Sequence, residues 1–171
     1  MSKGYVHIYT GNGKGKTTAA FGLAVRAACS GKKVYIGQFV KDMKYNETKI
    51  EKYLPLITVE QLGRGCFIDK QPAHEDKSAA EEALNKCAEI LKQGKYQLVI
   101  LDEINIAIYY GLLDVQSVIE VIQQRDNDVE VVLTGRYVPE SLIAIADVVT
   151  EMKEIKHYYY QGVLAREGIE H

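Results

Sequence analysis

Positions 11 to 18 read Gly11-Asn12-Gly13-Lys14-Gly15-Lys16-Thr17-Thr18. Glycines let a backbone turn tightly and bring its N–H groups against phosphate oxygens. Lys16 adds a mobile positive charge, and the Thr17 hydroxyl offers an oxygen to Mg²⁺. Binding of a nucleotide polyphosphate such as ATP is the chemistry this spacing supports. A second acid-bearing stretch follows later. Asp102 and Glu103 close the apolar run Leu98-Val99-Ile100-Leu101. Carboxylates at the end of such a strand are placed to hold Mg²⁺ beside the loop, and the residues alone do not separate the two as direct ligand.

The loop departs from the usual G-x-x-x-x-G-K-[ST] pattern. Counting back from Gly15, the first glycine should stand at 10, where Thr10 stands instead. The second half of the loop is regular and the first half is altered. That alteration predicts a phosphate chain seated differently at its far end from that of ordinary kinases and ATPases.

The elements around these residues must bring them together. Tyr5 to Tyr9 reads as a strand and Thr17 to Cys29 as a helix, the order of a phosphate-binding loop. Ala20, Phe21, Ala24, Val25 and Ala28 give that helix an apolar face, and Gly31 ends it. Arg26 lies on it, as a solvated charge or as a reach towards bound triphosphate. Lys33 to Val40 reads as a second strand, with Lys41 past its end, where ligands of open α/β sheets bind. Positions 42 to 52 read as a loop entering a short helix, and Ile57 to Leu62 as a strand. Gly63 to Ile68 forms a glycine-bearing loop with Phe67 and Ile68 side by side, as a core tuck or an apolar contact to a ligand.

Asp76 to Gln93 has the strongest helical periodicity, stopped by Gly94. The apolar run 98–101 shows no alternation, which predicts a strand covered on both faces. A helix over Ile104–Tyr110 and another capped by Asp114 follow. Glu130–Leu133 is a strand that delivers Arg136 to its end, against the nucleotide or in an edge salt bridge. Pro139 opens a short helix, and Val148–Glu151 is a last strand. The tyrosine-rich tail from Lys156 suits a ligand wall or a subunit contact. Strand and helix alternate throughout. They predict one domain over 1–171: a P-loop-like three-layer α/β fold, with a mostly parallel central sheet and helices on both faces.

Composition narrows the partners. The 171 residues suffice for one domain with a proper core. With 21 basic and 23 acidic side chains the chain has no electrostatic footprint for nucleic acid. No apolar run has the length of a bilayer span, and the N-terminus lacks a signal-peptide pattern. Cys29, Cys66 and Cys87 form no CxxC pair, which predicts free, buried thiols in a reducing cytoplasm.

These segments together resemble the P-loop class of ATP:corrinoid adenosyltransferases. The resemblance rests on Tyr9 to Gly22, Gln38-Phe39-Val40-Lys41, Val99 to Glu103, and Leu133-Thr134-Gly135-Arg136. It also rests on the ending Lys156-His157, Gly162, Ala165-Arg166 and Gly168-Ile169-Glu170. The altered loop with Thr10 is the family's own form. The resemblance implies transfer of the 5′-deoxyadenosyl group from ATP to the Co(I) of a reduced corrinoid, such as cob(I)alamin, with triphosphate leaving. It implies ATP lying reversed along the loop, in contact with Thr10 to Thr18, Arg26, Lys41 and Arg136. Lys16 and Glu103 would carry the chemistry, and Thr17 and Glu103 would hold Mg²⁺. Gly65, Phe67 and Ile68 would meet the corrinoid, as apolar wedges that displace the lower cobalt ligand. A reductase or flavin donor for Co(I), a homodimer and a cytoplasmic location are implied as well. Two other functions compete: a small-molecule kinase releasing ADP, and a nucleotide-dependent switch ATPase.

Overall fold

The computed structural model describes residues 3–40, 46–63 and 73–170. The six strands are β1 Val6–Thr10, β2 Val34–Gln38, β3 Ile57–Gln61, β4 Leu98–Asp102, β5 Glu130–Thr134 and β6 Val148–Glu151. The five α-helices are α1 Lys16–Cys29, α2 His74–Gln93, α3 Ile104–Tyr109, α4 Val115–Gln123 and α5 Glu140–Ile145. Two 3₁₀ segments, Asn46–Lys52 and Tyr158–Gln161, complete the described elements.

All strand pairs are parallel, and the sheet order is β3-β2-β4-β5-β1-β6. Successive side chains of a strand point to opposite faces, and both faces are covered. Val34, Ile36, Leu98, Ile100 and Val132 pack against Ala20, Phe21, Ala24, Ala27 and Ala28 of α1. Tyr35, Val99, Leu101, Val131 and Leu133 pack against α2, α3, α4 and α5. The run 98–101 lacks alternation because each of its faces meets a helix layer.

The termini of the elements follow local chemistry. The Asp114 carboxylate accepts from the Ser117 N–H at 2.9 Å and caps α4, and Gly94 ends α2 in the left-handed region at φ 60°. Several bounds differ by one to three residues from the sequence reading. The second strand ends at Gln38 rather than Val40. The Phe39 N–H makes a last ladder bond to the Asp102 carbonyl at 3.0 Å, where β4 ends. Cys87 is fully buried as expected, whereas Cys29 is exposed at the end of α1. Position 29 follows the buried pair Ala27 and Ala28 and falls on the solvent side of the helix. Cys66 lies outside the described residues. Among the described residues, no helix is long and apolar enough to cross a membrane.

Parallel pairing sends every strand's C-terminal end to one edge. The loop after β1, Asp102 at the end of β4 with Glu103 next to it, and Arg136 after β5 all lie at that edge.

Candidate active site

The first half of the loop is shaped by β6. Thr10 is paired with Glu151 in the sheet, and its carbonyl accepts from the Met152 N–H at 2.8 Å. The chain stays extended through position 10 and turns at Gly11, whose φ is 95°. A glycine at 10 would have no conformational work to do, which accounts for the missing glycine. The Gly13 N–H donates to the Met152 carbonyl at 2.7 Å. A Cβ on Gly11 or Gly13 would stand 2.5 or 2.7 Å from that same carbonyl oxygen. These two glycines are therefore required by the approach of β6.

The second half of the loop opens α1. No side chain caps this helix, and its first bond to the loop runs from the Ala19 N–H to the Gly15 carbonyl at 2.8 Å. The amides of Lys16, Thr17 and Thr18 thus point out of the helix end, where they and the helix dipole favour an anion. Lys16 is itself buried, and its ammonium donates to the Gly11 and Gly13 carbonyls at 2.8 and 2.9 Å. Burial lowers its pKa, helped by the Arg136 guanidinium, while Glu103 and Asp102 oppose the shift.

Asp102 and Glu103 divide their roles. Asp102 is completely buried. Its Oδ1 accepts from the Thr17 and Thr134 hydroxyls at 2.9 and 2.7 Å, and its Oδ2 accepts from the Gln38 amide at 3.1 Å. Glu103 is half-buried and lines the cleft. It caps α3 with φ 62°, a conformation that is costly for a side chain with a Cβ. Its N–H donates to the Thr134 hydroxyl at 2.9 Å, which holds that conformation. Asn105, fully buried, donates to the Gly135 carbonyl at 3.1 Å and fixes the turn that presents Arg136.

These groups surround a cleft of about 650 Å³. Asn12 to Thr18 form its floor, Glu103 and Arg136 one side, and residues of the tail another. The tail folds back onto the loop. The Lys14 ammonium donates to the Ile169 carbonyl at 2.7 Å and lies 3.2 Å from the Glu170 carboxylate. Glu170 also accepts from the Tyr158 hydroxyl and from the Arg166 N–H. Burial pushes the Glu170 carboxyl up, but the Arg166 N–H and Lys14 outweigh it, and the net shift is downward.

The structure thus brings Asn12 to Thr18, Glu103 and Arg136 into one cleft. Thr10 and Gly11 support the loop from beneath. Arg26 is exposed in the last turn of α1, outside the cleft. Ten residues separate it from Lys16, about 15 Å along a helix. Lys41, Gly65, Phe67 and Ile68 lie outside the described residues. Sequence reasoning missed Glu154 and His157 as cleft residues, and it missed Gln38 as the partner of Asp102. The only signals were the tyrosine-rich tail and a polar residue ending a buried strand.

Mg²⁺ fits this donor set. The Thr17 proton is committed to Asp102, which leaves the hydroxyl's lone pairs available, and Glu103 adds a carboxylate at the cleft. Mg²⁺ takes one or two protein oxygens and completes its shell with phosphate and water.

Comparison with known proteins agrees with this geometry. The family model described as ATP:corrinoid adenosyltransferase BtuR/CobO/CobP matches residues 2–171. A corrinoid adenosyltransferase of Sinorhizobium sp is 38% identical over 172 residues, covering 98% of this chain and 80% of that protein. The protein of that name in Pseudomonas aeruginosa is 35% identical, covering 98% of this chain and 84% of its own length. The one in Escherichia coli K12 is 32% identical, covering 99% and 86%. The chain belongs to the ATP:corrinoid adenosyltransferase family, a family of transferases with ATP and a corrinoid as substrates.

Proposed function

We propose that this protein transfers the 5′-deoxyadenosyl group of ATP to the cobalt of a reduced corrinoid such as cob(I)alamin. Co(I) supplies an electron pair to the ribose C5′ as the C5′–O bond breaks. The bond pair leaves on the oxygen of intact triphosphate, and the cobalt becomes Co(III). The observation that carries this reading is the convergence of the open helix end, Lys16 and Glu103 on one cleft beside a loop altered in its first half. The nucleophile belongs to the corrinoid, so the protein's work is placement and neutralisation of the leaving group.

Each residue then has a task. The amides at the start of α1, with Lys16 and Arg136, hold the triphosphate. Asp102 orients the Thr17 hydroxyl, and Thr17 and Glu103 would hold Mg²⁺. Bound there, Mg²⁺ neutralises charge on the phosphate oxygens. Lys16 must turn from the Gly11 and Gly13 carbonyls towards the phosphates. Lys41 is assigned to the distal phosphates, and Gly65, Phe67 and Ile68 to the corrinoid; Arg26, outside the cleft, takes no part in holding the triphosphate.

The wider setting extends the same reading. A single domain acts in the cytoplasm, supplied with Co(I) by a reductase or a flavin donor. The free thiols of Cys29 and Cys87 support a reducing compartment. A homodimer is supported by the outer edge of β6, where Val148 and Val149 are each 42% exposed, and by Ile155 at 85%. The direct test is anaerobic incubation of ATP and Mg²⁺ with chemically reduced cobalamin, followed by corrinoid absorbance. Formation of adenosylcobalamin, lost in Lys16→Ala, supports the assignment. An unchanged corrinoid spectrum with the wild type overturns it.

A further inference from the structure

His157 lies at the start of the tail, directly before the 3₁₀ segment Tyr158–Gln161. Its Nδ1 accepts the Tyr159 N–H at 3.0 Å. A neutral imidazole carries one proton, and a nitrogen that accepts cannot hold it. The proton is therefore on Nε2, which is a donor. Among the described residues Nε2 has no hydrogen-bond partner. The ring leans on Tyr158, with centroids 4.8 Å apart. Tyr158 is in turn held by Glu170, and the Arg166 guanidinium lies 5.0 Å over its ring. Glu170 and Ile169 are anchored on Lys14. The tail is thus tied to the loop at its far end, and His157, at its near end, lines the same cleft as the loop.

From this geometry we propose that His157 is a further ligand of the triphosphate, donating Nε2–H to a non-bridging phosphate oxygen. The inference rests on ATP occupying this cleft, as in the reading above. The cations of the cleft, Lys14, Lys16 and Arg136, share it with Glu47, Glu103, Glu154 and Glu170, so an additional donor to the phosphates has a place there. Lys14 is already engaged by the tail, and Lys16 by the loop carbonyls. A neutral N–H of fixed tautomer adds a phosphate contact with no further cation to desolvate.

Two substitutions separate binding from structure. His157→Asn keeps a side-chain oxygen near the position of Nδ1, where it accepts the Tyr159 N–H, but it loses the reach of Nε2. His157→Gln places an amide donor near Nε2. The experiment titrates sodium triphosphate and, separately, ATP, each with Mg²⁺, into wild type, the two variants, His157→Ala and Lys16→Ala, by calorimetry. A two-dimensional ¹H–¹⁵N spectrum follows the imidazole nitrogens. The expected result is a loss of affinity of about tenfold or more in the Ala and Asn variants. Gln restores most of it, and triphosphate moves the Nε2 resonance of the wild type. Wild-type affinity in Asn together with loss in Gln makes His157 a cap of the 3₁₀ segment and overturns the proposal. So does weaker binding of ATP with unchanged binding of triphosphate, which places His157 against the nucleoside. Wild-type affinity in all three variants overturns the proposal alone. No triphosphate binding by the wild type overturns the cleft reading with it.

Discussion

The Thr17 hydroxyl donates to Asp102 Oδ1 at 2.9 Å, across 85 positions of sequence. This bond joins the phosphate loop to the end of β4. It turns the hydroxyl proton away from the cleft and leaves its lone pairs for a cation. Thr134 and Gln38 also donate to Asp102, which fits it to position Thr17 while Glu103 lines the cleft.

Asp102→Asn separates charge from shape. The Thr17 and Thr134 hydroxyls bind the retained oxygen, and the new amide faces Gln38. The Gln38 Oε1 is buried without a hydrogen-bond partner, so rotation of the Gln38 amide provides an acceptor. A stability loss of about 1–2 kcal/mol is expected, with adenosyl transfer reduced by roughly a hundredfold or more. Asp102→Ala removes the acceptor of the Thr17 and Thr134 hydroxyl protons and of the Gln38 amide and should cost ~3 kcal/mol or more. Urea unfolding beside turnover checks both. Equal stability loss in the two variants contradicts the role given to Gln38.

Gly11→Ala must strain the loop. Its φ of 95° disfavours a Cβ, which would also stand 2.5 Å from the Met152 carbonyl oxygen. A loss of about 1–3 kcal/mol is expected, or several degrees in Tm for a chain of this size. Nucleotide affinity should fall with it, because the loop can relax only by moving away from β6. Thermal unfolding with and without ATP measures both effects.

Glu170 gives the tail a pH dependence. Its carboxyl sits below its ordinary value of 4.5, so the folded state holds the charged form more strongly than the unfolded state does. Its contribution to tail docking is complete above 4.5 and is lost as pH falls through the lowered value. The protection factors of the tail amides, taken relative to the intrinsic rate at each pH, should therefore fall at acid pH while those of the β4 amides stay high. In Glu170→Gln the tail should exchange rapidly at neutral pH as well. A tail as protected in the variant as in the wild type contradicts the Lys14–Glu170 anchor.

The thiols differ in reactivity. Burial pushes the Cys87 thiol up to about 12, with the Glu60 carboxylate adding to the shift. Its unfolded counterpart ionises near 9. The stabilising preference for the neutral thiol is whole below 9 and is lost as pH rises towards 12. At pH 8 alkylation should modify the exposed Cys29 and leave Cys87 intact until the protein is unfolded. Mass spectrometry of digested, alkylated protein makes the measurement.

Much of the fold was legible because its signals are local. Leu98 to Leu101 showed no alternation, and each face of that strand is covered by helices. The carboxylate of Asp114 caps α4 as its position suggested. The core of the cleft was legible too, since Lys16, Thr17 and Glu103 stand at element ends that a parallel sheet gathers at one edge. What could not be read depends on distant partners. Thr10 departs from the glycine pattern because β6 lies beside β1, where Thr10 pairs with Glu151. Lys14 bonds Ile169 across 155 positions, and no periodicity encodes that return of the tail. Arg26 shares a helix with Lys16, but helical rise carries it to the other end.

The central claim is that the C5′–O bond of ATP breaks while the phosphate chain stays whole. The most direct measurement is ³¹P NMR of the products after anaerobic turnover of ATP with Mg²⁺ and chemically reduced cobalamin. Intact triphosphate, formed in equal amount to adenosylcobalamin and without ADP, is the predicted result. ADP or orthophosphate with an unaltered corrinoid would contradict it and point to phosphoryl transfer or hydrolysis.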